Sequence, residues 1–274
     1  MPAVAIVGLG LMGSSLALAL KEARSNTVVV GSDPDAMTLR KAVDRGIVES
    51  ASADLSVVDM ADVVVLAVPI LALRNVLTNL RGRMDGKVIT DMASTKEIVM
   101  GWATGSGIDL VGGHPMCGKE AAGIDAADAS IFKGATWVIT RADLAVTELV
   151  ESVGAQPLVM DAATHDRLVA GVSHAAFLLS VGYVLSVSGR PDWPEASRLA
   201  ASGFRDMSRL AAGDPELYVG ITRTNRIHLL EQLDAITATL GKLRRHLQDD
   251  DPRLVELFEE ARLVREKWAR DSAS

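Results

Sequence analysis

Three polar side chains are candidates for a catalytic role, because each follows an apolar run that is typical of a buried strand. Ser94 comes after the run at 87–90, and His114 and, less closely, Lys119 come after the run at 109–111. His114 lies in a predicted loop rather than on a helix face, where a histidine is more often a packed core residue. Neutral imidazole can take a hydroxyl proton while a hydride leaves for a nicotinamide. The sequence therefore predicts that His114 is a catalytic base.

Other common catalytic arrangements are missing from the sequence. There is no HExxH motif, no pair of cysteines, no histidine-rich cluster and no GxSxG motif, so neither a metal site nor a serine nucleophile is predicted. The single cysteine, Cys117, shows no sign of activation beyond its nearness to His114. One cysteine also excludes an internal disulfide and is compatible with a reducing cytoplasm, where we expect the protein to be.

A glycine-rich turn near the start of the chain predicts a nucleotide site. It stands between an apolar run and an Ala- and Leu-rich helical pattern. Gly8 permits the turn, Gly10 lets the backbone approach a pyrophosphate, and Gly13 lets the helix pack on the strand. The alternative is a glycine-rich turn without a nucleotide. The predicted phosphate-binding residues are Gly8, Gly10, Leu11, Met12 and Gly13.

An acidic residue at the end of the next apolar run predicts which nucleotide binds. Asp33 stands 20 residues after Gly13, where a carboxylate can accept hydrogen bonds from the adenosine ribose. The same carboxylate would repel a 2′-phosphate, and no arginine follows within six residues. The sequence therefore predicts NAD rather than NADP as the cofactor.

The elements that must position these residues change character near residue 160. Up to that point strands and helices alternate, which predicts an α/β fold with a Rossmann-type, doubly wound parallel sheet. Beyond it the patterns indicate an all-helical second domain, with helices over 164–188, 197–212, 215–248 and 252–270. We therefore predict a dinucleotide-binding domain over 1–160 and a helical domain for substrate binding and dimerisation over 161–274.

Charge and hydropathy limit the partners. A net charge of −7 without a long basic run argues against nucleic acid and against an anionic membrane. The uncharged run at 168–189 is long enough to span a bilayer, but it contains His174, four serines and three glycines. We interpret it as a buried helix. The broad apolar faces of the predicted helices exceed what one small domain covers, which favours a homodimer.

Several motifs, in order from residue 4 to about residue 225, together resemble the prephenate and arogenate dehydrogenases. The most specific pair is HPMCG at 114–118 with GFRDMSR at 203–209. The others are GLGLMG at 8–13, VLAVP at 65–69, DMASTK at 91–96, VSH at 172–174 and the stretch at 214–225. The resemblance implies NAD-dependent oxidative decarboxylation of prephenate to 4-hydroxyphenylpyruvate, in tyrosine biosynthesis. It also implies a cyclohexadienyl substrate and a dimer formed by the helical domain.

The resemblance implies roles for individual residues. His114 would take the substrate hydroxyl proton, and Ser94 would bond the same hydroxyl or fix the imidazole, the alternative for Ser94 being an ordinary helix N-cap. Arg209 would hold a substrate carboxylate, although by sequence alone it fits a solvated helix face. His174 would support the pocket or be an ordinary buried histidine. The strand end Ala67, Val68 and Pro69 would line the cofactor site.

Three departures from the family pattern leave the substrate side chain open between pyruvyl and alanyl. Phe177 stands where several members carry a second histidine, and Tyr218 stands where some carry tryptophan. Lys119 replaces a small hydroxyl residue and could add a cation for a carboxylate. The predicted substrate-binding residues are Arg209, Lys119, His174 and Tyr218.

Arogenate dehydrogenase is therefore an alternative function. A 3-hydroxyacid-type dehydrogenase would share the glycine turn and the helical domain, but it would rely on a lysine and would leave GFRDMSR unexplained. A non-catalytic nucleotide sensor is a further alternative, because a dinucleotide fold alone does not make a catalyst.

Overall fold

The computed structural model describes residues 3–23 and 26–271. Its contacts divide the chain into two compact units, one extending to His228 and the other beginning at Leu229. The first unit contains both sheets and the helices that follow them as far as residue 224. Contacts thus group the chain differently from the division at residue 160, which stays a prediction.

The first unit is built on six parallel strands in the order β3-β2-β1-β4-β5-β6. This is the strand order of the doubly wound dinucleotide fold, so the predicted Rossmann-type architecture is confirmed. The strands are β1 (Val4–Val7), β2 (Val29–Ser32), β3 (Ser50–Ser52), β4 (Val63–Leu66), β5 (Val88–Asp91) and β6 (Leu110–Val111). The first helices are α1 (Leu11–Ala23), α2 (Ala36–Asp44), α3 (Ile70–Asn79) and α4 (Glu97–Gly105).

Side chains on the two faces of β1 enter two separate cores. Val4 and Ile6 pack in a cluster with Leu16 of α1, whereas Ala5 and Val7 pack in a cluster with Leu73, Leu77 and Val99 of α3 and α4. Successive residues of a strand point to opposite faces, so a continuous apolar run satisfies both cores at once. That burial keeps the strand ends, and the loops that follow them, in fixed positions.

A second sheet of three strands was not predicted. It consists of β7 (Gly113–Pro115), β8 (Thr136–Ile139) and β9 (Gln156–Val159), with β7 antiparallel to β8. The expectation that His114 lies in a loop is therefore wrong, because it pairs with Val138. The predicted alternation up to residue 160 also implied that the segments forming β8 and β9 continue the main parallel sheet, which is wrong because they belong to the second sheet. A Gly-His-Pro segment has no strand pattern of its own, and its pairing comes from β8, far along the chain. Helix α5 (Leu144–Ser152) connects β8 to β9.

Helices alone follow β9 among the residues that the structure describes, as predicted. They are α6 (Ala162–Val169), α7 (Ala175–Ser188), α8 (Trp193–Ala196), α9 (Ser202–Ser208), α10 (Pro215–Thr224), α11 (Arg226–Gln248) and α12 (Leu254–Asp271). A π-helical turn over Ala170–His174 joins α6 to α7.

Two of the helices predicted in this region are interrupted. The helix expected over 197–212 is broken into a 3₁₀ turn, α9 and a second 3₁₀ turn at Arg209–Ala212. The helix expected over 215–248 is broken at Asn225, whose φ of −120° and ψ of 30° are not helical. Asn225 is buried, and its amide is bonded outside its own helix. Tertiary hydrogen bonds therefore override the local apolar period.

By length and composition, the helical segment Ala162–Ser188 could cross a membrane. Only a third of its most apolar window is buried, so the expectation of a buried helix over 168–189 is wrong for much of its surface. Leu168, Val172 and Leu185 are exposed in the single chain. The polar side chains His165, Asp166 and His174 are buried instead.

Candidate active site

The glycine turn has the shape of a phosphate cradle. Gly8 has a φ of +100°, and a Cβ there would lie 2.5 Å from the carbonyl oxygen of Ala67. A Cβ on Gly13 would lie 1.9 Å from the carbonyl oxygen of Gly8. A Cβ on Gly10 would meet no atom within 4 Å. Two glycines thus allow close packing and the third leaves open space beside the N-terminus of α1, which fits a pyrophosphate.

Asp33 follows β2 and ties that strand to the glycine turn. Its Oδ2 accepts from the Leu9 N–H at 2.9 Å, and its Oδ1 accepts from the Asp35 N–H at 2.9 Å. A carboxylate oxygen can accept more than one hydrogen bond, so ribose hydroxyls can still bind. Ala67 donates its N–H to the Val7 carbonyl, which keeps the strand end Ala67, Val68 and Pro69 beside the turn.

A buried ion pair fixes the backbone beside His114. Asp91 and Lys96 are fully buried and paired with each other. Gly113 donates its N–H to Asp91 Oδ1 at 2.9 Å, and its carbonyl accepts from Lys96 Nζ at 2.6 Å. Asp91 Oδ2 also accepts from the Ala93 N–H at 2.9 Å. The pair therefore holds the residues preceding both Ser94 and His114.

His114 is 8% exposed and belongs to a chain of buried polar side chains. Its Nδ1 lies 2.8 Å from Nε2 of His165, and Nδ1 of His165 lies 2.7 Å from Oδ1 of Asp166. Sequence analysis missed His165 and Asp166. A polar pair at the start of an apolar helix was the only available signal, and it does not show which strand the helix packs against.

The surroundings of His114 favour its neutral form. Burial lowers the pKa of His114 well below its usual range, and repulsion from Lys96 and from the cationic forms of His165 and His174 lowers it further. At neutral pH the imidazole is therefore uncharged and able to accept a proton.

Ser94 is not a helix cap. The N-cap of α4 is Lys96, which makes no side-chain capping bond, so the alternative role for Ser94 is wrong. Ser94 is partly exposed, and no residue in the described part of the chain hydrogen-bonds its hydroxyl. It can therefore bond a substrate hydroxyl.

His174 lies in the same buried group as Asp166. The Asn225 Nδ2 donates to the Asp166 carbonyl at 2.8 Å and lies 3.1 Å from His174 Nδ1. Because an amide nitrogen only donates, His174 Nδ1 accepts and its proton is on Nε2. Nε2 is buried and has no partner among the residues of the described ranges. Burial lowers the pKa of His174 to about 4, so it is a neutral donor.

A second group surrounds Arg209. Its guanidinium pairs with Glu120, which sequence analysis did not identify. The ring of Tyr218 stacks on Phe177 with centroids 3.3 Å apart. Burial raises the pKa of Tyr218, Glu120 raises it further, and Arg209 opposes both. Arg209 and Tyr218 are thus brought together around Glu120.

Lys119 is not part of that group. Its ammonium pairs with Asp128 at 2.5 Å, and the Asp128 N–H donates to the Ser15 hydroxyl on α1.

Burial raises the pKa of Cys117 to about 11, which keeps the thiol protonated and unreactive at neutral pH.

Comparison with known proteins identifies relatives over almost the whole chain. The family model "Prephenate dehydrogenase, nucleotide-binding domain" matches residues 16–158, and "Prephenate dehydrogenase, dimerization domain" matches residues 161–260. Prephenate dehydrogenase of Lactococcus lactis subsp. cremoris is 32% identical over 97% of this chain and 77% of its own length.

Solved structures agree with this match. Synechocystis arogenate dehydrogenase superposes with a TM-score of 0.83 at 30% identity, covering 97% of this chain and 99% of its own. Prephenate dehydrogenase of Aquifex aeolicus, in complex with hydroxyphenyl propionate and NAD+, superposes with a TM-score of 0.90 at 24% identity, covering 97% and 98%. The second likeness supports the fold.

Proposed function

The chain belongs to the prephenate dehydrogenase family, and from that premise we propose that it catalyses the NAD-dependent oxidative decarboxylation of prephenate to 4-hydroxyphenylpyruvate. The observation that carries the proposal is the position and state of His114, beyond the carboxyl ends of β5 and β6. His114 is buried and uncharged, and the Asp91–Lys96 ion pair holds the backbone of the residue before it. Ligands of doubly wound folds bind at those strand ends. This reaction is a step of tyrosine biosynthesis.

In the proposed reaction His114 takes the proton of the ring hydroxyl, so the oxygen becomes a carbonyl as the C–H bond breaks. A bound NAD would supply the acceptor for the hydride that leaves that ring carbon. The ring then loses CO2 and becomes aromatic, and the oxygen recovers a proton from His114. Ser94 bonds the same hydroxyl and orients it toward the imidazole. The catalytic residues are thus His114 and Ser94.

Arg209 is proposed to hold a substrate carboxylate, because a guanidinium binds a carboxylate through two parallel hydrogen bonds. The substrate carboxylate would bind the Arg209 guanidinium either beside Glu120 or in place of it. Tyr218 and His174 are proposed to line the pocket, His174 with its unused Nε2–H. Lys119 stays a proposed substrate-binding residue, and its charge is already paired with Asp128.

Arogenate is the second candidate substrate. The chain is 30% identical to an arogenate dehydrogenase of known structure. In addition Phe177, which stacks on Tyr218, stands where several family members carry a second histidine. Measuring kcat/KM with prephenate and arogenate side by side, through the absorbance of the reduced nicotinamide, tests the proposal. Activity on a 3-hydroxyacid alone, or nucleotide binding without turnover of either substrate, would overturn it.

The cofactor residues are proposed to be Gly8, Gly10, Leu11, Met12, Gly13, Asp33, Ala67, Val68 and Pro69. We expect kcat/KM with NAD to exceed that with NADP by at least about 10-fold, because like charges brought together cost several kcal/mol and 1.4 kcal/mol is a factor of ten. Asp33→Asn should narrow this ratio. Asp35→Asn, a change of the exposed carboxylate that caps α2, is the matched control and should leave it unchanged. A preference for NADP in the unmodified protein would show that Asp33 has another role.

The matched C-terminal model is a dimerization domain, and we propose that the protein is a homodimer. Large apolar side chains are exposed in this region, including Leu240, Val255, Phe258, Val264 and Trp268. Such surface is unusual in a monomer. Sedimentation at micromolar concentration should give the mass of two chains, and Phe258→Asp should shift it toward one chain.

Leu144→Asp is the matched control for the dimer, because Leu144 is at least as exposed as Phe258 but lies on α5 in the nucleotide-binding region. It should leave the mass unchanged. A single-chain mass for the unmodified protein would contradict the dimer.

The partners are otherwise proposed to be small molecules, without nucleic acid or membrane, and the location is proposed to be the cytoplasm, where nicotinamide cofactors and prephenate are present.

A further inference from the structure

We propose that His165 and Asp166 are positioning residues that fix the proton of His114 on Nδ1 and leave its Nε2 as the basic atom. The inference deepens the proposed function, since it rests on His114 being the base. It starts from the chain of contacts that runs from His114 Nδ1 to His165 Nε2 at 2.8 Å, and from His165 Nδ1 to Asp166 Oδ1 at 2.7 Å.

The direction of these hydrogen bonds is set at Asp166. Its Oδ1 accepts from the Lys96 N–H at 2.7 Å and its Oδ2 accepts from the Glu97 N–H at 2.9 Å, both at the N-terminus of α4. Both oxygens of Asp166 are thus already acceptors of backbone hydrogen bonds, and a carboxylate can only accept. His165 must therefore donate to Asp166 from Nδ1.

The hydrogen bond from His165 Nδ1 to Asp166 determines whether His165 Nε2 carries a proton. A neutral imidazole with its proton on Nδ1 has a lone pair on Nε2. His165 Nε2 therefore accepts, and His114 donates to it from Nδ1. The proton of His114 is held away from Nε2, which leaves the Nε2 lone pair available for the substrate. Because a hydrogen bond at one ring nitrogen determines the role of the other, the tautomer is a property of the whole array.

The array also stabilises the product of proton transfer. When His114 Nε2 takes the hydroxyl proton, the ring carries a positive charge inside the protein. Burial and the charge of Lys96 disfavour that positive charge, and so does His174 when it is protonated. Asp91 is paired with Lys96, so Asp166 is the carboxylate that acts through His165. A buried imidazolium thus gains a carboxylate two hydrogen bonds away.

The direct test is nitrogen NMR of the protein with 15N-labelled histidine, at a pH where His114 is neutral. We expect the attached proton of His114 on Nδ1 in the unmodified protein, and a shift of that proton toward Nε2 in His165→Leu. A proton on Nε2 of His114 in the unmodified protein would overturn the inference. Since this measurement needs no turnover, it gives the same answer even if the protein does not act on prephenate.

Kinetics with two replacements of His165 tests the same idea. Gln can accept from His114 with its amide oxygen and donate to Asp166 with its NH2, whereas Leu can do neither. We expect His165→Leu to lower kcat about 10- to 100-fold with KM changed less than about threefold, and His165→Gln to recover most of the loss. Equal loss in both variants, or no loss in either, would show that His165 serves packing alone.

Asp166→Asn allows a second measurement, the position of the acidic limb of kcat/KM, which would not change if Asp166 served packing alone. Removing the negative charge should lower kcat and shift the acidic limb of kcat/KM to lower pH, because the imidazolium of His114 loses its stabilising carboxylate. A limb that stays in place would overturn the inference. His246→Leu, which removes a second His–Asp hydrogen bond, of 2.8 Å to Asp251, is the control and should change neither kcat nor the limb.

Discussion

His114→Asn is expected to lower kcat about 100-fold to 10,000-fold, the range usually lost with a general base. Asparagine keeps much of the size and hydrogen bonding of histidine, but it cannot accept the hydroxyl proton. Substrate affinity should change much less, so KM should stay within a few-fold of that of the unmodified protein. Steady-state kinetics with prephenate and NAD measures both quantities.

The pH dependence gives this prediction a second readout. His114 works only when neutral, so kcat/KM must fall as the pH falls through the pKa of His114 in the free enzyme. Burial and nearby charges lower that pKa, so the acidic limb should lie below the ordinary histidine value of about 6.5. The residual rate of the variant should lack this limb. Retained activity, or an unmoved limb in the residual rate, would place the base elsewhere.

Arg209→Ala is expected to raise KM much more than it lowers kcat. A carboxylate held equally in the ground and transition states contributes uniform binding, whose loss appears in KM. Losing a two-pronged charged contact should cost about 2–4 kcal/mol, or roughly 30-fold to 1,000-fold in kcat/KM. Arg209→Lys should be intermediate, because an ammonium keeps the charge but loses the planar fork.

Arg205→Ala is the matched control for Arg209. Both arginines come from the same motif and are exposed, but within the described ranges the side chain of Arg205, on α9, makes no hydrogen bond or ion pair, whereas Arg209 pairs with Glu120. Its removal should leave kcat/KM within about twofold, as most surface substitutions have small effects. Should Arg209→Ala behave like Arg205→Ala, Arg209 belongs to a solvated face and another cation binds the carboxylate.

The parts of the fold that could be predicted from the sequence are those fixed by local pattern. Runs such as Val63–Leu66 are apolar on both faces, which is typical of a central parallel strand. The spacing of Gly8, Gly10 and Gly13 is set by the packing distances of a single turn. Patterns of this kind depend only on residues close in the chain, so sequence carries them directly.

Features set by distant contacts could not be predicted. β7 is a strand only because β8 pairs with it, and the helix break at Asn225 depends on the Asp166 carbonyl, in another helix. Likewise, its position after an apolar run and the family motifs identified His114, but its contact with His165 joins two segments 51 residues apart. In the sequence, Glu120 is only one more charged residue beside Lys119, because its pairing with Arg209 depends on the fold.

The most direct test of the account is the stoichiometry of the reaction. The purified protein, given NAD and prephenate, should produce reduced nicotinamide and 4-hydroxyphenylpyruvate in equal amounts, and His114→Asn should slow both products by the same factor. If neither prephenate nor arogenate reduces the cofactor, the chain is not the dehydrogenase proposed here. If the cofactor is reduced at an undiminished rate by His114→Asn, the reaction occurs without the base on which the account depends.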